Sequence, residues 1–373
     1  MSLMLPSESP TARSIVGVAG DLFAALRGES ATLPRAESVV LVLIDGLGAI
    51  SLRAHAGHAR ALTAGMAKKD VASSVFPSTT AAALTSILTG VWPGEHGLVG
   101  YSVLDRSRGV LVNQLSGWES SGVDPASWQV APTVFEQAAA DGRPVFAVGV
   151  AAYAGSGFSR ATLRGAEFVS AASPADRVAT AYDLAERNPG SLVYCYLPEV
   201  DKAGHRHGIA SRQWVSALED VDAALARRVP PGVGVIVTSD HGMVDVPGHK
   251  QVVLESEHLV GVSSIGGEPR MLHVYLDPDV DAAEILSRWR RDLDGAADVG
   301  GHAETIASGL FGPTVTDAAA SRIGDLLVVA RGNGAVYDGT AADQRSRGMV
   351  GQHGGLTPEE RQVPLLRFGA FAR

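Results

Sequence analysis

VVLVLIDGLG, residues 39–48, decides the fold. Six apolar residues run from Val39 to Ile44 without a polar interruption, and Asp45 and Gly46 end the run. A strand of that kind can be buried on both faces, as the strands of a parallel sheet are. Residues 144–150 (PVFAVGV), 191–197 (SLVYCYL) and 234–238 (GVIVT) repeat the pattern. Helix-like stretches at 81–89, 134–140, 175–187 and 214–228 lie between or beside these runs. In the last of them Val215, Leu218, Val221, Ala224 and Leu225 recur at helical spacing. Such alternation predicts an α/β fold, with a mainly parallel sheet covered by helices on both faces.

Outward from that core the pattern changes. Between 255 and 310 a strand-like MLHVYL (271–276) leads into AAEILSRWRRDL, which predicts a small α+β insert or cap. The expected division is a helical N-terminal extension over 1–34, a core over 35–254 and 311–373, and the insert over 255–310. DLLVVA (325–330) is expected as another strand. A chain of 373 residues can hold one large domain with such an excursion. Its composition, 46% hydrophobic and 19% charged, is that of a globular protein. No apolar run approaches the roughly 18 residues of a membrane span, so no membrane partner is expected. Asp21 interrupts the first apolar stretch, which argues against a signal peptide. The one cysteine, Cys195, lies in an apolar run and is expected as a buried, inert thiol in a reducing cytoplasm. A net charge of −9 offers nucleic acid no general attraction. An anionic substrate would have to be drawn by metal ions or by a few placed side chains.

In open α/β sheets ligands bind beyond the carboxyl ends of the strands, and four places there carry polar residues. Asp45 closes the first strand, where an aspartate either caps the next helix or serves a site. Residues 73–90, SSVFPSTTAAALTSILTG, set Ser78, Thr79 and Thr80 at the start of a helix. One hydroxyl there is enough for an N-cap, yet a helix N-terminus also favours phosphate, and a metal could activate the hydroxyl as a nucleophile. In residues 196–208, YLPEVDKAGHRHG, Asp201 and His205 are four apart and share a helical face, whereas His207 points elsewhere. In residues 234–244, GVIVTSDHGMV, the adjacent Asp240 and His241 follow a buried strand, where a bare charge needs a partner. Later, GQHGG sets His353 among glycines that let the backbone approach a ligand.

Taken in order, these five blocks resemble the alkaline phosphatase superfamily and, within it, the type I phosphodiesterase/nucleotide pyrophosphatase family. The blocks are an aspartate after the first strand, a hydroxyl before a helix ending in Thr89-Gly90, Asp-x-x-x-His, Asp-His-Gly and a late His-Gly; the resemblance covers about residues 38–365. It implies an alkaline phosphatase-like three-layer sandwich and two zinc ions, with manganese as the alternative metal. One ion would be held by Asp201, His205 and His353, and the other by Asp45, Asp240 and His241, with Thr80 bridging toward it. Thr80 is the implied nucleophile, by its spacing from Thr89-Gly90, and Thr79 is the second choice. The implied reaction is in-line displacement at phosphorus through a phosphothreonine, on a small phosphorylated substrate such as a nucleotide.

Two departures bear on the substrate. No glutamate marks the third, magnesium site of alkaline phosphatases, which favours a diester over a monoester. Where the phosphodiesterases have an asparagine for a phosphate oxygen, this chain reads HGLVGY and offers Tyr101. Phosphomonoesterase and phosphonoacetate hydrolase-like activities are the alternatives, and a non-catalytic phospho-ligand binder is the rival from another class. Arg270 is taken as a further substrate contact. Lys250 and Arg322 are the other basic candidates, although single loop charges more often pair structurally or face water. A purely structural zinc fits poorly, since closed sites prefer cysteine.

Overall fold

The computed structural model describes residues 13–372; residues 1–12 of the expected N-terminal extension lie outside the described residues. An eight-stranded sheet forms the centre. Its order is Arg13–Ser14, Val71–Ser73, Gln362–Gly369, Val233–Thr238, Ser38–Ile44, Leu192–Leu197, Val145–Gly149 and Glu167–Ser170. Only Gln362–Gly369 runs against its neighbours. Ser38–Ile44 is buried along its whole length, which is why it shows no polar alternation.

The two-residue period of that strand sorts its side chains between two cores. Val39, Leu41 and Leu43 pack with the helices Val18–Arg27, Thr80–Thr89 and Val134–Ala140. Val40, Val42 and Ile44 pack with Pro174–Arg187 and Arg212–Leu225 on the other face. The described part of the N-terminal stretch is integral to this arrangement. Arg13–Ser14 adds an edge strand, and Leu22, Phe23 and Leu26 join the first core.

Register then positions the chemistry. Ile44 lies opposite Leu197, and Leu43 lies opposite Thr238. The three central strands therefore end level. Asp45, the helix Glu199–His207 and the Ser239–His241 turn, each continuing the chain from one of those strand ends, emerge at one edge.

A second, smaller sheet is antiparallel, in the order Val262–Glu268, Met271–Leu276, Leu326–Ala330 and Ala297–Gly301. The helix Ala282–Asp292 covers it through Ile285 and Trp289. Leu326–Ala330 lies beyond the boundary expected at 310 and belongs to this sheet. Its five buried residues read like a core strand because both of its faces are covered.

Candidate metal centre

Asp45 leaves its strand into a tight turn at Gly46 (φ 73°). A Cβ on Gly46 would lie 2.8–2.9 Å from atoms of Asp201, so only glycine lets the two aspartates come this close. Asp201 and His205 stand one turn apart on Glu199–His207, with His205 Nε2 3.5 Å from Asp201 Oδ1. His353 enters from a loop that Ser78 ties down. The Ser78 hydroxyl donates to the Gly355 carbonyl (2.8 Å) and accepts from the Gly354 N–H (3.2 Å).

Of the three hydroxyls at the helix start, Ser78 is thus a loop anchor. Thr79 is the N-cap residue but makes no capping bond with its side chain. Thr80 is the first helical residue, and its Oγ1 lies 3.1 Å from His241 Nε2.

Three rings are oriented in the same way. The Nδ1 atoms of His205, His241 and His353 lie 2.8, 3.0 and 3.0 Å from the carbonyls of Gly351, Gly242 and Ser78. A carbonyl only accepts, so each Nδ1 carries a proton, and in the neutral ring each Nε2 keeps a lone pair for a partner. Two such lone pairs, on His205 and His353, face each other at 3.1 Å, an arrangement that a cation between them relieves. In this tautomer the Thr80 hydroxyl donates to His241.

The carboxylates tell the same story. Asp45 Oδ1, Asp201 Oδ1 and Asp240 Oδ2 are buried without a hydrogen-bond partner. Their other needs are met where a partner exists. Asp45 Oδ2 accepts from the Tyr196 hydroxyl, and Asp240 Oδ1 accepts from the His241 N–H at 3.0 Å. Burial, then the like charges of Asp240 and Asp201, push Asp45 well above the usual carboxylate range. Burial and the neighbouring His241 and His205 rings hold His353 well below the usual histidine value. A bound cation removes the conflict for both groups.

The donor atoms of Asp201, His205 and His353 lie within 4.8 Å of one another, as do those of Asp45, Asp201 and His241. Asp240 Oδ2 is 3.5 Å from His241 Nε2. The residues therefore fit a pair of divalent ions, with nitrogen and oxygen ligands suited to zinc or manganese, and Asp201 stands within reach of both groups.

The structure brings all seven expected ligands, Asp45, Thr80, Asp201, His205, Asp240, His241 and His353, to this one place. Arg270 is a correction. It is fully buried, and its Nε and Nη2 donate to the two carboxylate oxygens of Glu360 at 2.9 and 2.6 Å, while Nη1 donates to the Gly334 carbonyl. A guanidinium so occupied holds the fold and leaves no donor fork for substrate. Arg322 is likewise structural, donating to the carbonyls of Gly97 and Trp128 over the Trp128 ring. Lys250 pairs with Asn333. Tyr101 is placed by its backbone, whose N–H donates to Glu268 Oε2 at 2.9 Å. Its hydroxyl bonds to none of the seven ligands.

Sequence reasoning missed two contributors. Tyr196 is visible in the sequence only as a strand residue, and its role depends on the pairing of its strand with the one that ends in Asp45. Ser239 accepts from the Leu47 N–H and donates to the His241 carbonyl, binding two ligand turns together.

The family model described as type I phosphodiesterase / nucleotide pyrophosphatase matches residues 39–356. An uncharacterized pyrophosphatase/phosphodiesterase of Schizosaccharomyces pombe is 25% identical over 201 residues, 48% of this chain and 39% of that one. The match thus spans well under half of that relative's length. Among solved structures, murine ectonucleotide pyrophosphatase/phosphodiesterase 5 superposes with a TM-score of 0.68 at 18% identity, covering 89% of this chain and 88% of that one. That murine protein is also known as an inactive threonine-to-alanine variant in complex with AMP. Phosphonoacetate hydrolase from Sinorhizobium meliloti, in complex with phosphonoformate, gives a TM-score of 0.67 at 20% identity over 90% of this chain and 91% of that one. At these identities the structural likeness establishes the fold.

Proposed function

The chain belongs to the type I phosphodiesterase / nucleotide pyrophosphatase family of metal-dependent hydrolases, within the alkaline phosphatase superfamily, and from that premise we propose that it cleaves phosphodiester or pyrophosphate bonds through a phosphothreonine on Thr80. The observation that carries this reading is the convergence beside Thr80 of three partnerless carboxylate oxygens and three imidazole Nε2 atoms, one of which Thr80 itself contacts.

One zinc ion would be held by Asp201, His205 and His353, the other by Asp45, Asp240 and His241, with Thr80 next to it. When bound, the pair lowers the pKa of a hydroxyl or water and offsets charge on the phosphoryl oxygens. The chain supplies the rest. The helix places the Thr80 hydroxyl at its N-terminal turn, where free N–H groups favour phosphate oxygens. Thr80 is 5% exposed, which keeps bulk water from competing with it. Tyr196 and Ser239 fix the ligand turns. The Thr80 oxygen gives up its proton to water and bonds to phosphorus as the P–O bond to the leaving group breaks; the leaving oxygen takes up a proton from water, and a second water cleaves the phosphothreonine to free Thr80 and a phosphate monoester. That alanine in place of a threonine goes with inactivity in the murine neighbour accords with this assignment.

A diester fits better than a monoester. Three carboxylates set against two divalent ions leave one positive charge, which a diester's single negative charge offsets. No lysine or arginine lines the cavity that opens on Thr80, and Lys202 Nζ stands 5.4 Å from the centre of the Tyr153 ring that does line it.

The test is an acid quench during turnover of bis-p-nitrophenyl phosphate, followed by mass spectrometry. A p-nitrophenyl phosphoryl adduct on the Thr80 peptide is expected. Thr80→Ala should lack it and lose on the order of 10⁴-fold or more in kcat. Full turnover by Thr80→Ala would overturn the covalent route.

A further inference from the structure

Lys202 follows the ligand Asp201 on the helix Glu199–His207, and its ammonium lies over the Tyr153 ring, 5.4 Å from the centroid. Tyr153 belongs to two places at once. It lines the cavity of about 360 Å³ that opens on Thr80. Its ring also meets Tyr196 edge-on, with 5.9 Å between centroids, and the Tyr196 hydroxyl donates to Asp45. The ammonium therefore stands at the junction between the cavity and the metal centre.

Nearby carboxylates do not claim it. Glu199, one turn earlier on the same helix, pairs with the fully buried Arg177, and Glu119 on the cavity wall pairs with Arg160. Asp201 belongs to the metal set. Among the described residues the Lys202 side chain makes no ion pair, and the face of Tyr153 is what holds it. Stacking on that ring restrains a flexible stem and leaves all three N–H donors of the ammonium open to a ligand.

Charge counting gives this cation a task. Two divalent ions against Asp45, Asp201 and Asp240 leave one positive charge, which the phosphodiester group takes up. A second negative charge on the substrate needs a cation of its own, because the net charge of −9 disfavours it elsewhere. The hydroxyls of Ser116, Tyr153 and Tyr194 also line the cavity and make no hydrogen bond among the described residues, so the walls offer donors to further oxygen atoms.

We propose that Lys202 is a specificity-determining residue, selecting phosphodiesters whose organic group carries a second anionic group, a carboxylate or a phosphate. This rests on the phosphodiesterase reading with Thr80 as the attacking residue, because Thr80 ties the cavity beside Lys202 to the reacting phosphorus.

The test compares p-nitrophenyl ω-carboxyalkyl phosphates with the matching carboxamides, which keep size and polarity and lose the charge, over a series of chain lengths. An ω-phosphonoalkyl series shows whether phosphate or carboxylate is the group preferred. At the best chain length the charged ester is expected to exceed the carboxamide about tenfold in kcat/KM, the scale of one charge-assisted hydrogen bond near the surface. Because the contact is made away from the reacting centre, the gain falls on KM, with kcat unchanged. It shrinks as salt rises, is lost in Lys202→Met and is kept in Lys202→Arg, which also stacks on tyrosine. Lys202 is exposed, and Lys202→Met is expected to turn over the carboxamides as wild type does, with unchanged metal content. Equal rates for charged and neutral esters in wild type, a preference that survives Lys202→Met, or an equal loss on both esters in that variant would each overturn the assignment. Turnover still dependent on Thr80 would then leave the phosphodiesterase reading intact. Turnover that survives Thr80→Ala would instead remove the reading on which the proposal stands.

Discussion

Two groups of buried charge stand close together in this molecule, and they are built on opposite principles. Arg270 and Glu360 are both fully buried and fully answered. Two parallel hydrogen bonds join them, and Glu360 also accepts from the Gly355 N–H and the Thr357 hydroxyl. Asp45, Asp201 and Asp240 are each left with one carboxylate oxygen that no protein atom satisfies. A closed pair is what a fold needs to tolerate charge inside. An open set of oxygens, with histidine lone pairs aimed the same way, is tolerable only if something from outside completes it. The difference separates a structural arginine from a candidate metal centre more sharply than burial or charge alone could.

Breaking the closed pair gives the largest stability effect. Arg270→Met leaves Glu360 buried and unpaired and should cost about 3–5 kcal/mol, measured by urea denaturation. Arg270→Met with Glu360→Leu should recover much of that loss, because the stranded charge goes too. A raised KM with unchanged stability in Arg270→Met would instead make Arg270 a substrate contact.

Glu268 sits between the two cases. One of its oxygens accepts from the Tyr101 N–H, the other has no partner, and burial pushes its pKa from 4.5 up to about 8. A proton answers the open oxygen here. Because the folded value lies above the unfolded one, the folded state keeps a proton that the unfolded state has released between about pH 4.5 and 8. Stability from this residue is therefore lost as pH rises through that window. Glu268→Gln should be little different from wild type near pH 4.5 and more stable by a few kcal/mol near pH 8, seen in melting temperature against pH. A gap that does not grow with pH would show that Glu268 titrates normally.

The smallest expected effect tests what supports the open set. Tyr196→Phe removes the hydroxyl that orients Asp45 and should weaken metal binding about 10–100-fold, read by chelator competition. Unchanged affinity would mean that Asp45 is held without it.

Much of this is legible in the sequence for a physical reason. Asp45, Asp240 and His241 come directly after buried strands, and Asp201 and His205 share a helical face, so their placement needs only local rules. In the sequence Thr80 is separable from Thr79 only through the family resemblance. Structure supplies an independent ground, since Thr79 occupies the cap position and Thr80 the contact with His241. Arg270 misleads because its partner lies 90 residues away, and a lone arginine carries no trace of such a pairing. Leu326–Ala330 reads as part of the larger unit because a strand covered on both faces looks the same in either sheet. Tyr196 escapes notice because its contact depends on strand register.

The central claim is that the open oxygens and ring nitrogens are completed by metal. Elemental analysis of the purified protein, with Asp240→Asn and His353→Ala beside it, tests that most directly. The account predicts about two zinc or manganese ions per chain, as a two-metal site requires, and about one in each variant. No transition metal in the wild type, or the same content in all three proteins, would contradict it.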